Sequence, residues 1–184
     1  MNEQNESNKL NEEFVTIPKS LELKFPSALH TVDMTLIYNH FNWKKFKFET
    51  YFLLCKKHSE LDKPYWRFSG GFYDVYKDKT LEETVIREFK EETGIDISGC
   101  EIEYISSHLI DDERYKKSQH KIVTSFYGIE LYDREIFNKD LTLQGFDDVA
   151  LVKWFDLNSP DIEEIINPIH LDLFNDLKSI YARR

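Results

Sequence analysis

Only two cysteines, Cys55 and Cys100, occur in the 184 residues. They form no C-x-x-C or similar pair, which excludes a cysteine-built zinc or dithiol redox motif. Both read as small apolar side chains in or near strands. No run approaches the roughly 18–20 apolar residues of a membrane-spanning helix, so no membrane association is expected. The opening MNEQNESNKLNEE lacks both the basic start and the apolar core of a secretion signal, and a cytoplasmic protein is expected. Basic residues are the minority: 24 Lys and Arg face 34 Asp and Glu, a formal charge of -10. Repulsion by phosphate then argues against a broad nucleic-acid surface. It does not exclude phosphate-bearing small molecules, because a bound divalent cation can reverse the local sign.

Hydrophobic residues make up 41% of the chain and charged residues 32%, a composition that supports one folded core. The polar, aperiodic start reads as a tail to about Glu13, followed by an accessory segment. The expected division is residues 1–27 as tail and accessory segment and 28–184 as the domain. HTVDMTLIY and FETYFLLCKK are β-branched and apolar and read as strands, joined by the aromatic and basic FNWKKFKF. YWRFSGGFY, EIEYISSHLI, KIVTSFYGIEL and DVALVKWFDL are further strand candidates. Ile165, Ile169, Leu173 and Leu177 recur every four residues, predicting a C-terminal helical stripe interrupted by Pro168. The six histidines, His108 and His120 among them, show no metal-type spacing.

Thr80-Leu81-Glu82-Glu83 is a capping-box sequence, and Leu81, Val85 and Phe89 follow as one apolar stripe. Gly94 supplies a left-handed stop, so a helix is predicted over about 81–93. Glu88, Glu91 and Glu92 lie within little more than one turn of it. Such like charges cost a few tenths of a kcal/mol per pair in an isolated helix. A divalent cation removes that cost, and Mg²⁺ suits carboxylates that open onto a phosphate. On the carboxylates alone, a solvated helix face remains the simpler reading.

The run Arg87-Glu88-Phe89-Lys90-Glu91-Glu92-Thr93-Gly94-Ile95 resembles the second half of the Nudix box, R-E-U-x-E-E-x-G-U, at every specified position. HTVDMTLIY, YWRFSGG and GFDDVALVKWFDL are similar to other segments of ADP-ribose pyrophosphatase-like members. The resemblance implies an α/β Nudix fold, an α/β/α sandwich around a mixed β-sheet. The first half of the box departs from the pattern. Gly71 to Arg87 holds two extra residues, Ser69 stands where Pro is usual, and Lys79 stands where the family has a supporting Glu. Asp74 or Asp78 can substitute by folding back, whereas Lys79 can bring a cation towards the carboxylates.

What the resemblance implies is Mg²⁺- or Mn²⁺-dependent hydrolysis of a nucleoside diphosphate linked to another moiety, with ADP-ribose or a related sugar foremost. Glu88, Glu91 and Glu92, with the Gly71 carbonyl, take the metal-ligand roles. Glu88 and Glu92 are also candidate catalytic groups, and Arg87 is expected to hold Glu91 or the preceding loop. Asp147 and Asp148 are candidates for a later acidic base, Arg114 for a phosphate or ribose contact, and Phe72 and Tyr76 for stacking on a base. A turn and a solvated loop are the competing readings of these last segments. A Nudix-fold module that binds a nucleotide without cleaving it is the alternative function. The expected partner is a small-molecule nucleotide, and family likeness suggests a homodimer.

Overall fold

The computed structural model describes residues 28–112, 121–131 and 142–182. The expected tail, Arg114 and His120 lie outside the described residues. Seven strands are described: β1 (Ala28–Asn42), β2 (Lys47–Lys57), β3 (Ser69–Phe72), β4 (Glu103–Ile110), β5 (Lys121–Leu131), β6 (Thr142–Gln144) and β7 (Val149–Asp156). They form one mixed sheet in the order β4-β5-β1-β2-β7-β6, with β3 attached to β1. The length of β1 makes this possible. On one edge it runs parallel to β5 from Ala28 to Tyr38. On the other it pairs antiparallel with β3 over Thr31–Met34 and then with β2 over Ile37–Asn42.

Strand alternation sorts the side chains into two cores. Val32, Met34, Leu36 and Tyr38 of β1 pack with Val85 and Phe89 of α1 (Leu81–Thr93). Ile37, Phe52 and Leu54 face the other way, against α2 (Ile162–Ile165) and α3 (Leu171–Tyr181). Helices therefore cover both faces, as the α/β/α expectation requires. Leu173, Phe174 and Leu177 of α3 are fully buried, each contributing about 1.5–3 kcal/mol of transfer free energy.

Three expectations need correction. The C-terminal stripe changes phase at Pro168: Ile162 and Ile166 are buried, while Ile165 and Ile169 are only half-buried. The residue preceding a proline is biased towards extended backbone, and Asn167 adopts φ -58° and ψ 128°. The helix consequently stops at Ile165, and the chain restarts through a 3-10 turn, Pro168–His170. Of YWRFSGGFY, only Ser69–Phe72 is strand, and Trp66 and Arg67 make isolated bridges. Cys55 is buried in β2 as expected, but Cys100 is exposed in a turn.

Beneath the sheet, Asp33 lies in a buried polar cluster. Thr124 donates to it at 2.6 Å, and His170 Nε2 stands 3.6 Å away. The Phe68 amide donates to the other ring nitrogen of His170. Burial raises the Asp33 carboxyl from 3.8 to about 7, against opposing effects of Thr124, Arg67 and Lys57. A raised acid is held protonated in the fold while the unfolded chain ionises it freely. Stability from this group is complete below about pH 4 and falls as the pH rises towards 7. Asp33→Asn should remove this slope. Relative to the parent, the variant gains on the order of 4 kcal/mol between about pH 4 and pH 8. Chemical denaturation across that range checks it, and parallel pH profiles would refute it.

Candidate active site

The site forms along the second half of α1, beside β3. Thr80 caps the helix by accepting from the Glu83 amide at 3.2 Å, and Gly94 ends it with φ 71°. Glu83 reaches back past the cap to the Lys79 amide, at 2.6 Å. Lys79 itself is exposed, and no ion pair among the described residues joins it to Glu88, Glu91 or Glu92. The extra loop length is used differently. Asp78 is buried, and Arg87 donates to it through Nη2 at 2.6 Å and through Nε at 3.0 Å. Thr84 adds a third donor at 3.0 Å, and hydrogen bonding to Arg87 leads the causes that lower the Asp78 pKa. Asp78 therefore anchors the arginine at the helix start. Asp74 supports the loop instead, accepting from the Asp78 amide through its carbonyl and from the Tyr76 amide through its side chain.

From that anchor the Arg87 guanidinium reaches three further acceptors. Nη1 donates to Glu88 at 2.6 Å and to Glu91 at 3.2 Å, and Nη2 donates to the Phe72 carbonyl at 3.2 Å. Arg87 thus contacts both Glu91 and the end of β3. Glu88 lies against Gly71 so closely that a Cβ there would stand 2.3 Å from its carboxylate. A larger residue there would require the Glu88 carboxylate to move. Burial raises the Glu88 pKa, and Arg87 opposes that shift.

Glu92 points inward one turn later. Its Oε2 accepts from the Ser69 hydroxyl at 2.6 Å and the Gly70 amide at 3.0 Å, so Ser69 in place of Pro supplies a donor. Its Oε1 is 3.7 Å from Lys57 Nζ. Burial pushes the Glu92 carboxyl up to about 7, and Lys57 is the leading opposing influence. The Gly145–Asp148 turn docks on the helix end: the Phe146 amide donates to the Glu92 carbonyl at 2.8 Å, and the Phe146 ring covers Gly94. Asp147 occupies the left-handed region of this turn at φ 51°, and Asp148 pairs with Lys57.

Glu88, Glu91, Glu92, Arg87, Gly71 and Asp148 thus lie in one region, linked through Arg87 and Lys57. Phe72 is partly exposed beside Arg87, and Tyr76 is almost fully exposed in the loop. Lys57 was absent from the expected site. A lone lysine at a strand end, far from the helix in sequence, carries no motif to mark it.

The donor chemistry fits a hard divalent ion, which commonly takes one or two carboxylates plus water and substrate phosphate. Glu88 and Glu91 share one cation, Arg87, and Glu88 has the close backbone approach that Gly71 permits. The set is not preassembled: among the described residues no three acidic, His or Cys side chains converge as a metal cage. No helix among the described residues is long and apolar enough to cross a membrane.

The fold has close counterparts. The Nudix domain of Shewanella oneidensis NrtR, solved with ADP ribose, superposes with a TM-score of 0.61 at 21% identity, covering 92% of this chain and 96% of that one. A Francisella tularensis bifunctional NMN adenylyltransferase/ADP ribose pyrophosphatase, solved with AMP and a Mn ion, gives 0.57 at 18%, covering 95% of this chain and 47% of that one. A C. elegans Ap4A hydrolase gives 0.54 at 18%, covering 85% and 100%. At these identities the likeness is one of fold. No curated protein matches in sequence. The NUDIX domain family model matches residues 44–177. That span contains the whole Arg87–Ile95 run, and the chain belongs to the Nudix family.

Proposed function

We propose that this chain hydrolyses a nucleoside diphosphate linked to a second moiety, ADP-ribose or a related nucleoside diphosphate sugar foremost, with Mg²⁺ or Mn²⁺ as cofactor. At the coarser level it is a Nudix pyrophosphohydrolase, a class supported by its family membership. The observation that carries the reading is the carboxylate helix braced by Asp78–Arg87, with Glu88 laid on Gly71. Residues 28–184 form the domain responsible.

The ion's ligands are drawn from Glu88, Glu91, Glu92 and the Gly71 carbonyl. Once bound, it neutralises diphosphate oxygens and makes water a better nucleophile at neutral pH. The chain's own part is positional. Asp78 fixes Arg87, Arg87 spaces Glu88 from Glu91, and Gly71 lets the carboxylate approach backbone without a clash. Asp148, on a turn tied to the helix end, is the candidate base from outside the helix. Phe72 and Tyr76 offer rings on which a nucleobase can stack. Water attack on phosphorus then yields a nucleoside monophosphate and a second phosphorylated product. The ADP-ribose complex of the Shewanella NrtR domain supports this ligand class.

The test is turnover, with Mg²⁺ or Mn²⁺, of ADP-ribose, NADH, diadenosine polyphosphates and nucleoside triphosphates. ADP-ribose is expected to give the highest kcat/KM. Tight ADP-ribose binding without turnover of any substrate would overturn hydrolysis and establish the non-catalytic nucleotide-binding alternative.

A further inference from the structure

The turn between β1 and β2 stands clear of the rest of the sheet. Pairing of β1 with β5 ends at Tyr38, and pairing of β2 with β7 begins at Tyr51. Past these points, residues 39–50 have no strand partner among the described residues but each other, up to Asn42 and Lys47. This two-stranded ribbon projects about 13 Å, four residues of extended chain, beyond its neighbours. Its tip holds one aromatic cluster: Phe41 takes Trp43, Phe46 and Phe48 edge-on, at centroid distances of 4.8, 6.2 and 5.2 Å. The three outer rings are nevertheless 75%, 80% and 58% exposed. Scattered apolar side chains on a surface need no explanation, whereas a contiguous patch marks a docking site. Phe46 sits at φ 50°, a conformation that strains a bulky residue and not a glycine. The turn thus keeps a ring where glycine would close it without strain.

The tip is remote from the candidate active site. Gly71 pairs with Val32, ten residues along β1 from Asn42 and so about 33 Å away. No small nucleotide spans that distance. Nor do the rings, packed edge-to-face on one another, offer the open flat platform on which single-stranded nucleic acid stacks. Charge identifies the partner. Lys44, Lys45 and Lys47 are exposed among the rings, and of the three only Lys45 has an ion pair among the described residues, with Glu49. The complement lies on this same chain. β4 is an edge strand of eight residues with no Lys, Arg or Pro to guard its outer side, and its one bulge, at Ile105, leaves Ser106–Ile110 regular. The opposite edge, β6, is protected by being only three residues long. Tyr104 of β4 is 59% exposed between Glu103 and the nearby Glu101, and its ring contacts Tyr127, which lies within electrostatic reach of Glu82. We propose that the β1–β2 ribbon of one chain docks on the Tyr104 edge of a second copy, whose own ribbon docks on the first. At about 200 Å² per ring, the exposed parts of Trp43, Phe46 and Phe48 amount to roughly 400 Å². One such contact, counting both sides, buries about 800 Å², less than a stable interface needs. Two, related by a two-fold axis, bury about 1,600 Å², the standard size. The pairing uses no residue of the candidate active site.

Sedimentation velocity on the full chain over a dilution series provides the test. The parent is expected to be a dimer in low salt, with a Kd that weakens as salt rises. Lys44→Glu/Lys47→Glu and, separately, Trp43→Ala should each weaken the dimer at least about tenfold. Adding Glu82→Lys/Glu101→Lys to the lysine variant should return the Kd to within about threefold of the parent. Circular dichroism checks the fold of each chain. Should the charge-reversed chains fail to fold, Trp43→Ala and Tyr104→Ala decide, since each must weaken the dimer. A parent that stays monomeric at every concentration overturns the proposal, as does a dimer indifferent to the ribbon variants. Weakening without rescue moves the ribbon to another surface and overturns it too. A monomeric parent that cosediments with phosphatidylglycerol vesicles, and no longer does so as Trp43→Ala, puts a membrane in place of the second copy.

Discussion

Glu88→Gln is expected to lower kcat/KM for the best nucleoside diphosphate substrate by at least about 100-fold, while shifting the melting temperature by only a few degrees. The substitution keeps the shape and removes the charge. The side-chain amide introduced there can still accept from Arg87 through its carbonyl oxygen, and the Arg87–Asp78 anchor, which carries the local structure, is untouched. What is lost is the carboxylate that lies directly on Gly71. Steady-state kinetics with a parallel melting curve separates the two effects. Unchanged kcat/KM would remove Glu88 from the site, and a collapse in stability would make its role structural. Gly71→Ala should approach the same phenotype from the backbone side, because the added methyl must displace the Glu88 carboxylate.

The largest stability effect is expected at Arg67. Its Nε and Nη2 donate to the two oxygens of Glu60 at 3.0 and 2.6 Å, and both residues are buried. Asn167 adds only a long contact to Glu60, at 3.4 Å. Arg67→Met leaves a buried carboxylate stripped of its paired cation, which costs about 3–5 kcal/mol. Arg67→Met combined with Glu60→Leu should recover most of that loss, since replacing both partners leaves no uncompensated charge. The backbone bridge between Arg67 and Cys55 persists in both variants, so the comparison isolates the side chains. Urea denaturation provides the test. A single variant as stable as the parent, or a double variant no better than the single, would contradict the account.

The elements that the sequence showed most clearly are those whose signals are local. Thr80, the 81–85–89 stripe and Gly94 each act within a few residues, and the observed helix has those limits and caps. The long apolar strands were legible for the same reason. Losses came wherever tertiary geometry decides. The three-residue β6 is too short to show alternation, and the C-terminal stripe slips phase because Asn167 must turn extended ahead of Pro168. Within the site, the two extra residues between Gly71 and Arg87 pointed to either Asp74 or Asp78 as the substitute acid. Only the folded loop distinguishes them, by burying Asp78 against Arg87 and Thr84. Lys79, a candidate intruder by position, is exposed, while the cation that does enter comes from Lys57, at the end of a strand far from the helix in sequence. The acidic surplus of the chain has a corresponding local form: several of its carboxylates are gathered around two internal cations.

Under the proposed function, water attacks phosphorus within a diphosphate. Its most direct test is turnover of ADP-ribose with Mg²⁺ in ¹⁸O-labelled water, followed by mass spectrometry of the products. AMP and ribose 5-phosphate are expected, with one labelled oxygen on the phosphate of one product and labelling slowed at least about 100-fold when Glu88→Gln replaces the parent. Release of free adenine, which marks glycosidic cleavage, or intact ADP-ribose after prolonged incubation, would contradict it.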